Sequence, residues 1–502
     1  MLVLRRVSNI SESMSGIGSG MRKLMRAWRT AVALLLLFGV AACEKNKPFE
    51  LPESGKYYKV RLADDTFFAC LDTVIGKTAQ GTYYAVRPGW ESAGANKFSV
   101  ASGKRGKISI SARDFRGVFE TSDISWEAYV EPPFSPVDTA LYRDSEFEVE
   151  VTEDICYGHA MGYWTSLAGA EADVSKVFTE GYVHSFIRKR LPLTLDLYRP
   201  KGLNSRRPLI LFLHGGAFYV GDKQEPAYKD FCEYFASLGY VAASVNYRLG
   251  FHLGKKNIER AGYTAMEDAR TAMLFLLSKA REYGIDRNEI YAVGSSAGSI
   301  AALTMAFDEN ASFKVHAVAN MWGAVNDLGI LKNSRTDIVS FHGDADRTVP
   351  YGEDYPFTLA GEGIAKMLSD KMYGSSCIDA EARRLGLRSS LYTFEGEGHA
   401  LNTTKKDKLP NENHYFIRKA IKEFFFEEMI PEKAWLSDDG MGVYTVHGKG
   451  RTSVQWKVEG GFFLKLDGDT VKILWREDAP LCRITAAGKY SGGIGYSCSL
   501  EP

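Results

Sequence analysis

Gly294-Ser295-Ser296-Ala297-Gly298 lies between Glu289-Ile290-Tyr291-Ala292-Val293, an apolar β-prone run, and Ser299-Ile300-Ala301-Ala302-Leu303-Thr304-Met305-Ala306, a small-residue, helix-compatible run. The order strand, glycine-flanked serine, helix is that of a nucleophile elbow. Its serine backbone is strained, and the strand and helix beside it approach too closely for larger side chains. Ser296 is then lifted clear of a sheet as a candidate nucleophile. A pattern this short arises by chance about 0.5 times in a chain of such length, so the reading depends on partners elsewhere in the sequence.

A serine hydroxyl needs a base to take its proton, and the base needs an acid to fix its tautomer. Downstream, Asp337-Ile338-Val339-Ser340-Phe341 reads as a strand running into His342-Gly343-Asp344-Ala345-Asp346-Arg347-Thr348-Val349-Pro350. Later, the strand Leu391-Tyr392-Thr393-Phe394 leads into the glycine-rich loop Glu395-Gly396-Glu397-Gly398-His399. Upstream, the apolar strand Leu209-Ile210-Leu211-Phe212-Leu213 runs into His214-Gly215-Gly216-Ala217-Phe218. Glycines there free backbone amides, and preorganised N–H donors at a tetrahedral oxyanion lower a barrier by roughly 3 to 4 kcal/mol. The candidate donors are Gly216, Ala217 and Ala297.

These four motifs, in this order, make residues Leu193 to Met429 resemble the α/β-hydrolase superfamily, in its esterase and lipase branch. Asn246-Tyr247-Arg248-Leu249-Gly250 is similar to carboxylesterases, whereas the compact acid loop is similar to dienelactone-hydrolase, acetyl-xylan and feruloyl esterase-like relatives. The resemblance implies an α/β fold with a doubly wound, mostly parallel sheet and cleavage of carboxylic esters through an acyl-enzyme. Ser296 is then the nucleophile, His399 the base and Asp346 the acid. A peptidase of the prolyl-oligopeptidase kind shares this triad but carries a bulky aromatic after the nucleophile, where this chain has Ala297. A non-catalytic, hydrolase-shaped adhesion or glycan-binding protein is the other class of answer, and it expects a broken triad.

Rivals for each role are present. Asp344 competes with Asp346, but the family places its acid two residues before a variable position and Val-Pro, matching Asp346; Asp344 is then a loop brace. His342 and His214 read as structural histidines holding the acid and oxyanion loops, and His414 is a fallback base without a glycine-loop setting. The other histidines are scattered without the close pairings of metal ligation. There is no phosphate-binding glycine loop, so the sequence implies neither a metal nor a cofactor.

Alternation of strands and helices supports parallel βαβ units. Leu193 to Tyr198 alternates with period two, as an early antiparallel strand with one exposed face does. Pro226 to Leu238 reads as a helix, and Thr264 with Glu267 as the capping box of another that stops at Gly284. Tyr351 to Gly386, between acid and base, reads either as a partial cap over the site or as packing on the sheet.

Arg22, Lys23, Arg26 and Arg29 precede the apolar run Ala31 to Phe38, which is too short to span a bilayer and ends in Val40-Ala41-Ala42-Cys43. That ending resembles a bacterial lipobox, which implies acylation of Cys43, a membrane anchor and export to the cell envelope. A non-lipidated secretory peptide cleaved near Ala42 is the alternative, and Met21 suits the true start. The expected organisation is a signal region over 1–43, a tether over 44–55, an N-terminal β domain over 56–150, a catalytic domain over 151–430 and a C-terminal β-sandwich-like module over 436–502. The last resembles PKD or immunoglobulin-like modules. In both β modules aromatic residues, Trp456 and Trp475 among them, serve either as core or as platforms for glycan. Cys482 and Cys498 are the first pair to test for a disulfide. The 502 residues carry 62 basic and 62 acidic side chains, so there is no basic surplus for nucleic acid.

Overall fold

The computed structural model describes residues 55–502 except 63–64, 76–77, 86–104, 112–123, 145, 167–186, 203–204, 253, 405–408 and 431. The signal region, Cys43 and the tether up to residue 54 lie outside the described residues. The chain divides into two compact units, Met1–Glu131 and Pro132–Pro502.

In the first unit, strands β1 (Tyr57–Leu62), β2 (Asp65–Ile75), β3 (Thr78–Ala85), β4 (Arg105–Ser111) and β5 (Ile124–Ala128) form one antiparallel sheet in the order β4-β3-β2-β1-β5. Val60, Phe68, Ala69 and Tyr84 are buried, and Phe68 meets the Tyr129 ring edge-on at 5.4 Å. The unit ends at Glu131, not at 150 as the sequence suggested. The run Phe147 to Val151 instead leads into β6 (Val149–Gly162), which pairs antiparallel with β7 (Lys189–Pro200) in the large sheet of the second unit.

That sheet continues with β8 (Arg207–Leu213), helix α1 (Pro226–Ser237), β9 (Val241–Val245), α2 (Lys255–Ser278), α3 (Ala280–Tyr283), β10 (Ile285–Ser295), α4 (Ala297–Ala306) and β11 (Ala317–Met321). A short β12 (Ala324–Val325) precedes β13 (Asp337–Gly343), and the insert that follows holds β14 (Glu353–Asp354), α5 (Glu362–Leu368), β15 (Met372–Gly374) and α6 (Ser375–Arg384). β16 (Ser389–Phe394) and α7 (Glu412–Glu428) close the domain. The strand order is β16-β13-β11-β10-β8-β9-β7-β6, parallel from β16 to β9, with β7 antiparallel to both its neighbours. A mixed sheet of this kind with helices on both faces fits the α/β-hydrolase fold.

Alternation within β8 shows how the two faces are filled. Leu209, Leu211 and Leu213 join the core cluster of α2, α4 and α6, while Phe212 stacks on Phe231 of α1. All residues of β8, β9 and β11 are buried, as central parallel strands covered on both sides require. Register then sets the site, because Gly294 pairs with Leu213 on one side and Asn320 on the other, so the carboxyl ends of β8, β10 and β11 lie level. Ligands of open α/β sheets bind at that edge.

Three local expectations change. β7 has no exposed face between Leu195 and Tyr198; Asp196 is fully buried there, held by Lys223 Nζ at 2.5 Å and accepting from the Asp154 amide at 2.8 Å. Period-two polarity was an ion-paired interior in this case. Helix α2 starts at Lys255, so Thr264 and Glu267 are interior residues and no capping box forms; Gly284 does end the short α3 in left-handed geometry at φ 71°. Cys482 and Cys498 are free thiols, each near a backbone carbonyl.

The C-terminal module holds β17 (Trp435–Gly440), β18 (Val443–His447), β19 (Arg451–Glu459), β20 (Gly461–Asp467), β21 (Thr470–Trp475), β22 (Arg483–Tyr490) and β23 (Gly495–Leu500), in sheets ordered β17-β18-β21-β20 and β19-β22-β23. It is joined to the domain of the large sheet by Tyr142 Oη, which donates to the Gly492 carbonyl at 2.9 Å, and by the Gly495 amide, which donates to the Asp138 carbonyl at 2.8 Å. Trp456 is core, 1% exposed, with its indole N–H on the Gly468 carbonyl, so it offers no sugar platform. Trp475 donates its indole N–H to Tyr444 Oη at 2.8 Å.

At the foot of the sheet, Glu428 on α7 faces Asp337 on β13 and pairs with Arg388 at 3.2 Å. Burial, then the adjacent Asp337 carboxyl, push its pKa from the ordinary 4.5 up to about 7, against the pull of Arg388. A carboxyl raised in the folded state favours folding most while it is protonated, below its unfolded value, and that contribution is lost as pH rises through about 7. Glu428→Gln is therefore expected to flatten the decline in melting temperature between pH 5 and 8; a decline as steep as the parent's would show that this pair does not set it.

Candidate active site

Ser296 sits between β10 and α4 at φ 52° and ψ −121°, a conformation that costs of order 1–3 kcal/mol and needs support from its surroundings. Both glycines are sterically required. A Cβ on Gly294 would lie 2.4 Å from the Gly298 carbonyl oxygen, and one on Gly298 would lie 2.2 Å from that of Leu213. The Ser296 amide donates to the Met321 carbonyl at 2.9 Å, which ties the turn to the end of β11.

Three loops at the strand ends converge on this serine. His399, after β16, places Nε2 2.8 Å from Ser296 Oγ and Nδ1 2.6 Å from Asp346 Oδ2. Asp346, after β13, turns its other oxygen to the amides of Thr348 at 2.7 Å and Val349 at 3.1 Å. Burial alone would push this carboxyl up, but hydrogen bonds from His342 and His399 outweigh it and hold Asp346 well below the usual carboxylate range. Asp344 accepts from the Gly396 amide at 2.7 Å and so braces the acid loop against the base loop, away from His399.

His342 is buried, with Nε2 3.2 Å from Asp346 Oδ2 and Nδ1 2.8 Å from Ser375 Oγ. Ser375 opens a buried polar network that the sequence did not reveal. Asn320 Nδ2 donates to Ser375 Oγ at 3.0 Å and Ser340 Oγ at 3.1 Å, while its Oδ1 accepts from Ser299 of α4 at 2.5 Å. These residues lie far apart in sequence with no motif between them; only the level strand ends bring them together.

Gly216, Ala217 and Phe218 have φ of 109°, 53° and 60°, so the chain after β8 makes a tight loop against the elbow. Tyr228, from α1, locks it: its hydroxyl accepts from the Gly215 amide at 2.8 Å and lies 2.5 Å from Ser295 Oγ. His214 donates from Nδ1 to the Gly215 carbonyl at 2.8 Å and stacks on Tyr247 at 4.4 Å; burial lowers its pKa to about 4, keeping it neutral. Ala297 begins α4, where first-turn amides have no intrahelical acceptor. His414 is elsewhere, buried on α7 with Nε2 2.7 Å from Asp230, and is not near Ser296.

Ser296, Ala217 and Ala297 open onto a cavity of about 500 Å³. The insert after β13 contributes Phe357, Asp370 and Met372 to its wall, whereas Ile378 and Ala382 of α6 pack into the core, so the insert divides between covering and packing. Among the described residues no group of three or more His, Cys, Asp and Glu is placed to hold a metal.

Residues 195–334 match the model of the BD-FAE family. The BD-FAE segment holds the loop after β8 and the elbow with Ser296, and ends before Asp346 and His399. Gut esterase 1 of Caenorhabditis elegans is 33% identical over 117 residues, 22% of this chain and 21% of that protein. Para-nitrobenzyl esterase of Bacillus subtilis (strain 168) is 31% identical over 117 residues, 22% of this chain and 24% of that protein. The chain thus spans about a fifth to a quarter of the length of these relatives. Among solved structures, Thermogutta terrifontis esterase 2 phosphorylated by paraoxon aligns with 47% of this chain and 89% of its own, at 23% identity and a TM-score of 0.37.

Proposed function

We propose that the protein is an exported serine hydrolase that cleaves carboxylic esters. The observation that carries this reading is the unbroken relay from Ser296 Oγ through His399 to Asp346, at 2.8 and 2.6 Å, beside a cavity wide enough for an acyl group. His399 takes the Ser296 proton as the hydroxyl attacks the carbonyl carbon, and Asp346 stabilises the imidazolium that forms. The amides of Gly216, Ala217 and Ala297 receive the oxyanion. His399 then protonates the leaving alcohol, and water, activated by the same histidine, releases the acid from Ser296.

Esterases among the partial relatives support the same chemistry. The lipobox-like run ending in Cys43 supports export to a bacterial cell envelope with a lipid anchor. The β modules at either end suit an enzyme working on acyl groups carried by polysaccharide, and glycan binding by them belongs to this proposal. Turnover of nitrophenyl esters with a pre-steady-state burst of nitrophenol, alongside inert peptide amides, is the expected result. Peptide cleavage without ester cleavage would overturn it.

A further inference from the structure

The cavity beside Ser296 is a trench between two helices. Lys255, Ile258, Glu259, Gly262 and Tyr263 line it from one face of α2, at the i, i+3, i+4, i+7, i+8 spacing, and Ala297, Ile300 and Thr304 line it from α4. Seven helical residues cover about 10 Å, so the α2 wall of the trench runs for about that length. At the start of α2, Lys255 is ion-paired with Asp370 of the insert.

Which half of an ester enters is set by His399. The leaving oxygen must come within hydrogen-bond reach of His399 Nε2 to be protonated, yet the described residues lining the trench include the nucleophile and two of the oxyanion residues but not His399. The trench therefore suits the group on the carbonyl carbon, not the alcohol.

Gly262 stands in the interior of the 24-residue α2, where glycine is less favourable than alanine. The fold does not demand it: its φ is not left-handed, and a Cβ there would meet the Phe218 ring at 3.6 Å, an ordinary contact. Phe218 is the residue after Ala217 and also lines the trench. What the missing side chain leaves is room in the trench wall beside Phe218.

We infer that the trench is an acyl-binding site for elongated, largely apolar acyl groups, and that Gly262 is the residue that fixes its width. The inference rests on the ester-hydrolase reading. Ile258, Ile300, Ile330, Phe357 and Met372 supply apolar wall for such a chain, beside polar groups at Glu259, Asp327 and Asp370.

The test measures kcat/KM of the full-length protein for p-nitrophenyl acetate, butyrate and octanoate, with Gly262→Ala and Gly262→Leu beside the parent. The octanoate-to-acetate ratio should fall by about tenfold or more in Gly262→Leu, since methylene-sized changes in apolar pockets discriminate 10- to 200-fold. In Gly262→Ala it should fall less, while the melting temperature rises. An unchanged ratio, even with all rates lowered in parallel through Phe218 and the oxyanion loop, overturns the inference. So does a Gly262→Leu effect that follows the alcohol in a series of acetate esters. If the parent hydrolyses none of these esters, it is the ester-hydrolase reading that fails.

Discussion

Ser296→Ala is expected to lower kcat on a nitrophenyl ester by about 10⁶-fold, the scale on which removal of a triad serine acts when the triad works as a unit. The lost Oγ is the atom 2.8 Å from His399 Nε2, and among the described residues no other hydroxyl hydrogen-bonds to that nitrogen. Ser295 is adjacent in sequence, but its hydroxyl is 2.5 Å from Tyr228 Oη and belongs to the brace of the loop at Gly215. Alanine tolerates the elbow only as far as φ 52° is enforced by the surroundings. The contacts that enforce it, the Ser296 amide on Met321 and the close approach of Gly298 to Leu213, do not involve the side chain. Retained circular dichroism and melting temperature with lost turnover is therefore the outcome sought. Activity within tenfold of the parent would remove Ser296 from the reaction.

The convergence of Ser296, Asp346 and His399 could be read from sequence because each follows a strand of the large sheet, and parallel strands of matched register deliver their following loops to one edge. Glycines at 294 and 298 were equally legible, since their reason is backbone contact. The rest was hidden for particular reasons. Helix α2 begins nine residues before Thr264 because its first turns line the cavity, as Lys255, Ile258 and Glu259 do, and so lack the apolar stripe that marks a helix on a core. Asp196 looked like the outer face of a strand, as its partner Lys223 is 27 residues away. Tyr228 and Ser375 hold Gly215 and His342 from outside any motif. The insert after β13 resisted a single reading because it has two roles, with Met372 at the cavity and Ile378 in the core.

Asp346→Asn is the sharper test of mechanism, with an expected loss of about 10⁴ in kcat, the magnitude known for this change in a Ser-His-Asp triad. The surroundings determine which way the new amide points. In the parent, one carboxylate oxygen accepts from the backbone amides of Thr348 and Val349, and the other faces both His399 Nδ1 and His342 Nε2. An asparagine keeps its carbonyl oxygen on the two backbone donors, because the opposite orientation would set an NH₂ group against two N–H groups in a buried site. Its NH₂ then points at His399, which must offer a bare Nδ1 and carry its proton on Nε2, facing Ser296. A base protonated on that side cannot accept the serine hydrogen. Asp344→Asn, whose carbonyl oxygen can still accept from the Gly396 amide, should stay within about fivefold of the parent, since a neutral acceptor there costs only a modest hydrogen-bond difference. A loss at 344 as deep as that at 346 would mean that the acid is misassigned. An Asp346→Asn protein near full activity would mean that His399 does not depend on a carboxylate to fix its tautomer.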